Sequence, residues 1–254
     1  MDRSTKSPFQ ALRWVALLLA ACPLAPAFAD SYLVTPVSLT LNADNPLGEF
    51  RLVNMDQRTL HVQLEVVRWT QEGNQNVEKR NDDFIISPML AEIPPGGSQI
   101  VRLGLRQPAA AVTEQSYRVM FREIPDGAPE GARRILLNYS VPLFVAPATE
   151  GGQQLAWTLR KVDSNTLVLQ VTNSGIMHAK IQIHSLRYDK QPGTAVVSDA
   201  ALSENLRENP LIYVLPGASR ELKLSAVADV RPGERLRLSI DLDASRQDVP
   251  LTVQ

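Results

Sequence analysis

The sequence predicts an all-β protein built as two successive β-sandwiches, and three observations predict it. Apolar and polar residues alternate along segment after segment: His61 to Trp69 reads HVQLEVVRW, with Val62, Leu64 and Val66 on one face. Clusters of Gly, Pro and Asn punctuate these segments, as at Pro46-Leu47-Gly48, Asn54-Met55-Asp56-Gln57 and Pro94-Pro95-Gly96-Gly97. Beyond Ala29, no long segment repeats its apolar residues with the helical period.

Residues 1–29 read as an export signal. Arg3, Lys6 and Arg13 form a basic start, Trp14 to Ala21 an apolar run, and Ala27-Phe28-Ala29 a small-residue cleavage site before Asp30. The run is far short of the roughly 20 apolar residues that span a bilayer. The expected location of the mature chain is therefore the periplasm. Leu19-Ala20-Ala21-Cys22 also fits a lipobox, which would place a lipid on Cys22, although Pro23 directly after it argues against this. Cleavage at Asp30 removes the only cysteine, and with it any disulfide, thiol nucleophile or thiolate metal site.

The first sandwich is expected over 30–147. Its strands are Phe50 to Val53, His61 to Trp69, Asp82 to Ser87, Gln99 to Leu103, Tyr117 to Phe121 and the long run Ile135 to Val145. Ala146 to Gln154 is small and polar and reads as a linker. The second sandwich, 148–254, has candidate strands at 155–159, 167–172, 179–186, 211–215, 221–225 and 236–242, with turns at Asn173-Ser174-Gly175, Pro216-Gly217 and Arg231-Pro232-Gly233. Asp199 to Asn209 reads as a polar loop.

Composition and motifs exclude more than they assign. With 44 % hydrophobic residues there is enough apolar material for real cores, and a formal net charge of −1 offers nothing to nucleic acid. No glycine-rich phosphate loop, nucleophile elbow or zinc motif occurs. His61, His178 and His184 lack a ligand-like spacing, and the carboxylate pairs Asp82-Asp83 and Asp241/Asp243 read as solvated edges. Accordingly no enzyme activity, cofactor, metal or small-molecule substrate is expected.

The most informative segment is Tyr117 to Pro147. A strand (YRVMFREIP), a small-residue loop (DGAPEGARR) and a second strand (ILLNYSVPLFVAP) make a hairpin, whose second strand places Ile135, Leu137, Tyr139 and Val141 on one face. Sandwich architecture alone allows two readings: an ordinary core hairpin, or an edge strand offered to a partner polypeptide.

Several pieces together resemble the pilus-assembly chaperones of the chaperone–usher pathway. They are Val53-Asn54, Ser87-Pro88, Ile93-Pro94-Pro95-Gly96, Gln99 to Arg102, Tyr117-Arg118, Arg122 to Pro125, Pro142 to Pro147 and Leu215-Pro216-Gly217. The resemblance implies two immunoglobulin-like domains in a boomerang. It also implies a function: completing secreted pilin subunits with a donated strand and passing them to an outer-membrane usher. Ile135, Leu137, Tyr139 and Val141 would then be the donated face. The family's two basic residues that grip the subunit's terminal carboxylate correspond here to Ser38 and Pro142, and an arginine that pairs across the domains with the glutamate matching Glu123 is here Ala146. These losses, with Val-x-Arg-Trp-Thr-Gln at 66–71, resemble the archaic branch, which serves spore-coat-U-like pilins. Arg118, with Arg122 as the second candidate, is the expected replacement anchor, because Tyr117, Val119 and Phe121 should take the core face and turn both arginines outward. The alternative is a two-sandwich surface lipoprotein or adhesin-type binding protein.

Overall fold

The structure is a computed structural model and describes residues 32–108, 111–125, 135–191, 193–207 and 210–254. The expected export signal, its cleavage site and the loop 126–134 lie outside the described residues.

The first domain contains β1 (Tyr32–Thr35), β2 (Leu39–Leu41), β3 (Leu47–Asn54), β4 (Leu60–Glu72), β5 (Gln75–Arg80), β6 (Phe84–Ser87), β7 (Leu90–Ile93), β8 (Ser98–Leu105), β9 (Gln115–Glu123) and β10 (Asn138–Val145). One sheet has the order β1-β3-β8-β6; the facing sheet has the order β2-β10-β9-β4-β5, with β7 also on β4. The alternation seen in the sequence is what closes this sandwich. Phe50, Leu52 and Val101 from one sheet meet Leu64, Val119, Phe121 and Leu143 from the other, all fully buried. Phe50 and Phe121 meet edge to face at 5.5 Å.

The second domain contains β11 (Leu155–Lys161), β12 (Thr166–Asn173), β13 (Ala179–Tyr188), β14 (Ala195–Val197), β15 (Ile212–Val214), β16 (Ser219–Ser225), β17 (Arg235–Leu242) and β18 (Ser245–Thr252). Sheet β11-β12-β16 packs on sheet β14-β13-β17-β18, with β15 also on β13. Leu159, Leu169, Val171, Ile181, Leu186, Leu236 and Ile240 fill its core.

Both domains are pinned by the same buried asparagine. Asn54, at the end of β3, donates its amide to the carbonyls of Arg58 and Ile93, while its oxygen accepts the Asp56 N–H. Asn173, at the end of β12, donates to Met177 and Val214 and accepts from Gln154 and Gly175. Each asparagine N–H then reaches the turn beyond the facing strand, Gly97 O or Ala218 O. Those turns carry Gly96 and Gly217 at φ +67° and +73°, where a side chain would be strained.

Three local expectations need correction. Asp199 to Asn209 is not all loop: Asp199–Asn205 forms a helix, α1, whose N-cap Ser198 accepts the Ala201 N–H. Ile135 to Val145 is not one strand, since pairing begins only at Asn138. Strands β5 and β18 were not expected because β5 is almost wholly polar and exposed, and β18 is polar over its first half. Such strands are held by their neighbours' ladders, a signal that periodicity does not carry.

Candidate functional site

Strand β10 runs out of the first domain's core toward solvent. Leu143 and Val141 are buried, Leu137 packs partly on the same core, Tyr139 is 36 % exposed and Ile135 is 80 % exposed. Tyr139, Val141 and Leu143 share one face of β10, because they are two apart, while Ile135 and Leu137 precede the strand. The opposite edge of the strand is mostly open. Strand β2 pairs with β10 only at Leu143 to Val145, in parallel. Ala146 N–H donates across that edge to Leu41 O at 2.8 Å. By alternation the N–H and C=O groups of Asn138 and Ser140 point the same way, where β2 does not reach. Pro142 is tolerated for this reason, since the N–H it lacks would face the open edge.

The segment is held ready rather than left loose. Leu137 N–H donates to the Glu123 carboxylate at 2.9 Å, and Leu137 O accepts from Tyr32 Oη at 3.2 Å. Tyr139 packs edge-on against Tyr32 at 4.8 Å and donates its hydroxyl to Tyr32 O at 3.0 Å. Burial pushes the Tyr32 hydroxyl far above the usual tyrosine range, so it stays a donor.

The two domains meet over a mixed interface. Gln71 donates to Tyr213 O and accepts from Leu215 N–H. Asn74, in the β4–β5 turn, accepts from Arg220 through its carbonyl and caps the Glu221 N–H on the edge strand β16. His178 stacks on Phe144 at 3.7 Å, and Glu114 Oε1 accepts from both its N–H and its ring Nδ1. The acid at the domain junction is thus Glu114. Glu123, implied by the resemblance, lies at the far end of β9, because β9 and β10 are antiparallel and Gln115 is the residue opposite Val145.

Between the domains lies a cleft of about 390 Å³ lined by Arg118, Trp69, Gln71, Tyr213, Arg220 and Lys223 among others. Arg118 and Arg122 do face away from the core that Tyr117, Val119 and Phe121 fill. Their surroundings differ. Arg118 sits directly opposite Pro142 on β10, so a cation stands across the ladder from the position where the family's basic residue is missing. Its guanidinium lies over the Trp69 ring at 4.0 Å and donates to Ser140 Oγ at 2.9 Å. Nε is buried without a hydrogen-bond partner, with Glu78 Oε1 3.5 Å away, and burial lowers the Arg118 pKa. Arg122 is elsewhere: it lies opposite Asn138 and forms a 2.7 Å pair with Glu65. Ser38 is exposed in the turn before β2. Among the described residues no cluster of His, Cys, Asp and Glu could hold a metal ion.

The second domain supplies an internal standard. Val141-Pro142-Leu143 on β10 recurs as Val249-Pro250-Leu251 on β18, and Pro250 lies opposite Arg237 as Pro142 lies opposite Arg118. This repeat was readable in the sequence and would have aligned the two domains. Positions matching Ile135, Leu137 and Tyr139 are Asp243, Ser245 and Gln247. Arg237 is saturated: it meets Asp189 at 2.6 Å and Asp248 at 3.5 Å, and the Asp189 hydrogen bonds raise its pKa. Trp69, Glu78 and Arg220 were not expected at the site, since nothing in their local sequence shows which strands of different domains face each other.

The first domain thus presents a partly unpaired strand edge, and a cleft lined by Arg118, Arg220 and Lys223 lies at its junction with the second. Residues 32–150 match the family model of the PapD N-terminal domain, described as a pili and flagellar-assembly chaperone. Solved structures agree in fold over both domains. A chain of the CsuC–CsuE chaperone–tip adhesion subunit pre-assembly complex, from the archaic chaperone–usher Csu pili of Acinetobacter baumannii, is 20 % identical with a TM-score of 0.62, covering 88 % of this chain and 99 % of that one. The Salmonella enterica SafA pilin–SafB chaperone complex gives 14 % identity and TM-score 0.57, covering 89 % and 96 %. The E. coli chaperone DraB gives 16 % and 0.56, covering 89 % and 98 %. Among curated protein sequences none matches.

Proposed function

We propose that the mature protein is a periplasmic chaperone of the archaic chaperone–usher branch. It binds secreted β-rich pilin subunits along the open edge of β10 and delivers them to an outer-membrane usher. The apolar overhang Ile135, Leu137, Tyr139 and Val141 fills the groove of an incomplete subunit sandwich, while Asn138 and Ser140 supply the backbone ladder. Arg118 receives the subunit's terminal carboxylate and thereby sets the register, because a slip of one residue would turn every donated side chain away. Arg122 is the weaker candidate, since Glu65 already neutralises it.

The observation that carries this reading is the contrast between β10 and β18. The same strand, with the same Val-Pro-Leu and a matched arginine, has an apolar extension only in the first domain, where the arginine has one carboxylate neighbour, Glu78, against two for its counterpart. A purely architectural hairpin gives no reason for that difference.

The test is subunit recovery. The chain is co-expressed with the secreted β-rich proteins encoded beside it, and soluble complex is measured. Ile135→Asp should abolish recovery while leaving the melting temperature unchanged, because Ile135 is 80 % exposed in the free protein. Burial of a large apolar side chain contributes roughly 1.5–3 kcal/mol, and a charge in its place also leaves an ion unsolvated. Normal recovery with Ile135→Asp would return β10 to the status of a core strand. Intact-mass analysis of periplasmic material should show a chain beginning at Asp30; a diacylated Cys22 would instead favour a surface lipoprotein.

A further inference from the structure

We infer that the cleft grips its acidic ligand from both domains at once, with Arg220 on β16 as the second cation beside Arg118. This deepens, and rests on, the reading of Arg118 as the carboxylate anchor. It adds a positioning residue from the second domain, which that reading does not use.

The two guanidinium groups line one cleft from opposite domains. Neither is saturated. Arg118 keeps a buried Nε with no hydrogen-bond partner, and its nearest carboxylate, Glu78, stands 3.5 Å off. Arg220 donates through Nη1 to the Asn74 carbonyl at 2.7 Å, a neutral acceptor, and takes no carboxylate among the described ion pairs. The neighbouring Glu221 does not serve it, since that carboxylate turns to Arg160 at 3.3 Å. Burial lowers the pKa of both arginines, and for Arg118 the charge of Arg220 pulls in the same direction. Two partly desolvated cations therefore face a shared space in which Glu78 is the one carboxylate paired with either among the described residues, and a second anion would offset the remaining charge.

The chemistry of the pair selects the anion. A carboxylate has two coplanar oxygens that can accept a forked pair of N–H groups from one arginine and a further N–H from the other. A neutral amide at the same place offers one acceptor and no charge. The matched Arg237 is the control within the molecule. It has two carboxylates of its own and would gain nothing from a third.

There is a mechanical consequence. Arg118 is carried by β9, the hairpin partner of the offered strand, and Arg220 by the other domain. A carboxylate held by both fixes the second domain relative to β10, so the end point of the added strand is set across the hinge and not by one sheet alone.

The probe is the C-terminal strand of the subunit recovered by co-expression, synthesised as the free acid and as the C-terminal amide. Each is titrated calorimetrically into the mature full chain and into Arg118→Gln, Arg220→Gln and Arg220→Lys. The wild type should prefer the acid by roughly tenfold or more, as expected for charge-assisted hydrogen bonds. Arg220→Gln should cut that preference to within about threefold, and Arg220→Lys should keep part of it. The acid-to-amide ratio isolates the role, because losing the bond to Asn74 alone would weaken both peptides alike. A wild-type ratio in Arg220→Gln, with the ratio lost in Arg118→Gln, overturns the second cation and leaves the anchor. Wild-type ratios in both variants, or no preference in the wild type, overturn both.

Discussion

Strands β10 and β18 close their domains with the same tripeptide, Val141-Pro142-Leu143 and Val249-Pro250-Leu251, and each proline lies opposite an arginine. Both strands also touch an early strand of their domain in parallel: β10 along Leu39 to Leu41, β18 at the single bridge between Leu159 and Val253. From there the two diverge. The preceding positions are Ile135, Leu137 and Tyr139 in one domain and Asp243, Ser245 and Gln247 in the other. One arginine lies over a tryptophan with a single carboxylate, Glu78, beside its buried Nε; its counterpart is exposed between two aspartates. A sandwich thus tolerates a polar or an apolar start to its last strand equally well. What the apolar start adds is exposed apolar surface, at Ile135 above all.

The largest expected effect comes from making β10 read like β18. The triple change Ile135→Asp, Leu137→Ser and Tyr139→Gln removes three apolar side chains that each contribute roughly 1.5–3 kcal/mol when buried. Subunit recovery should fall below detection, while circular dichroism still shows two folded sandwiches. Recovery at the wild-type level would mean that the contrast between the strands has no bearing on binding.

The shared asparagines test whether the domains are equivalent in construction. Asn54→Ala and Asn173→Ala each strand several buried backbone groups, at roughly 1–3 kcal/mol per group left unsatisfied. Calorimetry should show the transition of the altered domain moving down by several degrees in each case. If one substitution proves nearly silent, the two corners are alike in shape only.

A smaller difference separates the arginines. Arg118→Gln should weaken subunit binding about tenfold, since a charge-assisted pair is lost. Arg237→Gln should change neither binding nor the melting temperature measurably, because exposed ion pairs are screened by solvent. Equal effects from both would remove the reason for assigning the anchor to the first domain.

The smallest effect is alkaline. Tyr32 and Tyr117, both in the first domain, have hydroxyls raised above the ordinary value of 10.0, in each case chiefly by burial. A raised acid binds its proton more tightly when folded. Its stabilisation is complete below pH 10.0 and declines as pH rises above it, where the unfolded chain ionises first. Between pH 10 and 12, roughly, the first domain should lose stability faster than the second, whose Tyr188 and Tyr213 hydroxyls are also raised by burial but less far. Calorimetric scans across that range, with the two transitions followed separately, check the order.

How much of this was legible in the sequence depends on the range of the interaction. Alternation of the kind seen at Tyr117, Val119 and Phe121 commits a segment to a half-buried strand whatever it later pairs with, because successive side chains point to opposite faces. The Gly, Pro and Asn turns and the outward direction of Arg118 follow from the same local geometry. The sequence by itself therefore determined two sandwiches, the face shared by Tyr139 and Val141, and the arginine facing away from the core. It could not determine that pairing begins at Asn138, that Glu114 and not Glu123 meets the second domain, or that Arg118 rests on Trp69 with Glu78 and Arg220 about it. Those facts depend on which strands become neighbours. Asn74 and Arg220 are joined across the domain boundary although they belong to different sandwiches, and no local pattern encodes such a contact. Only the packed molecule decides it, because long-range pairing is chosen by the fit of whole sheets and not by the preference of any one strand.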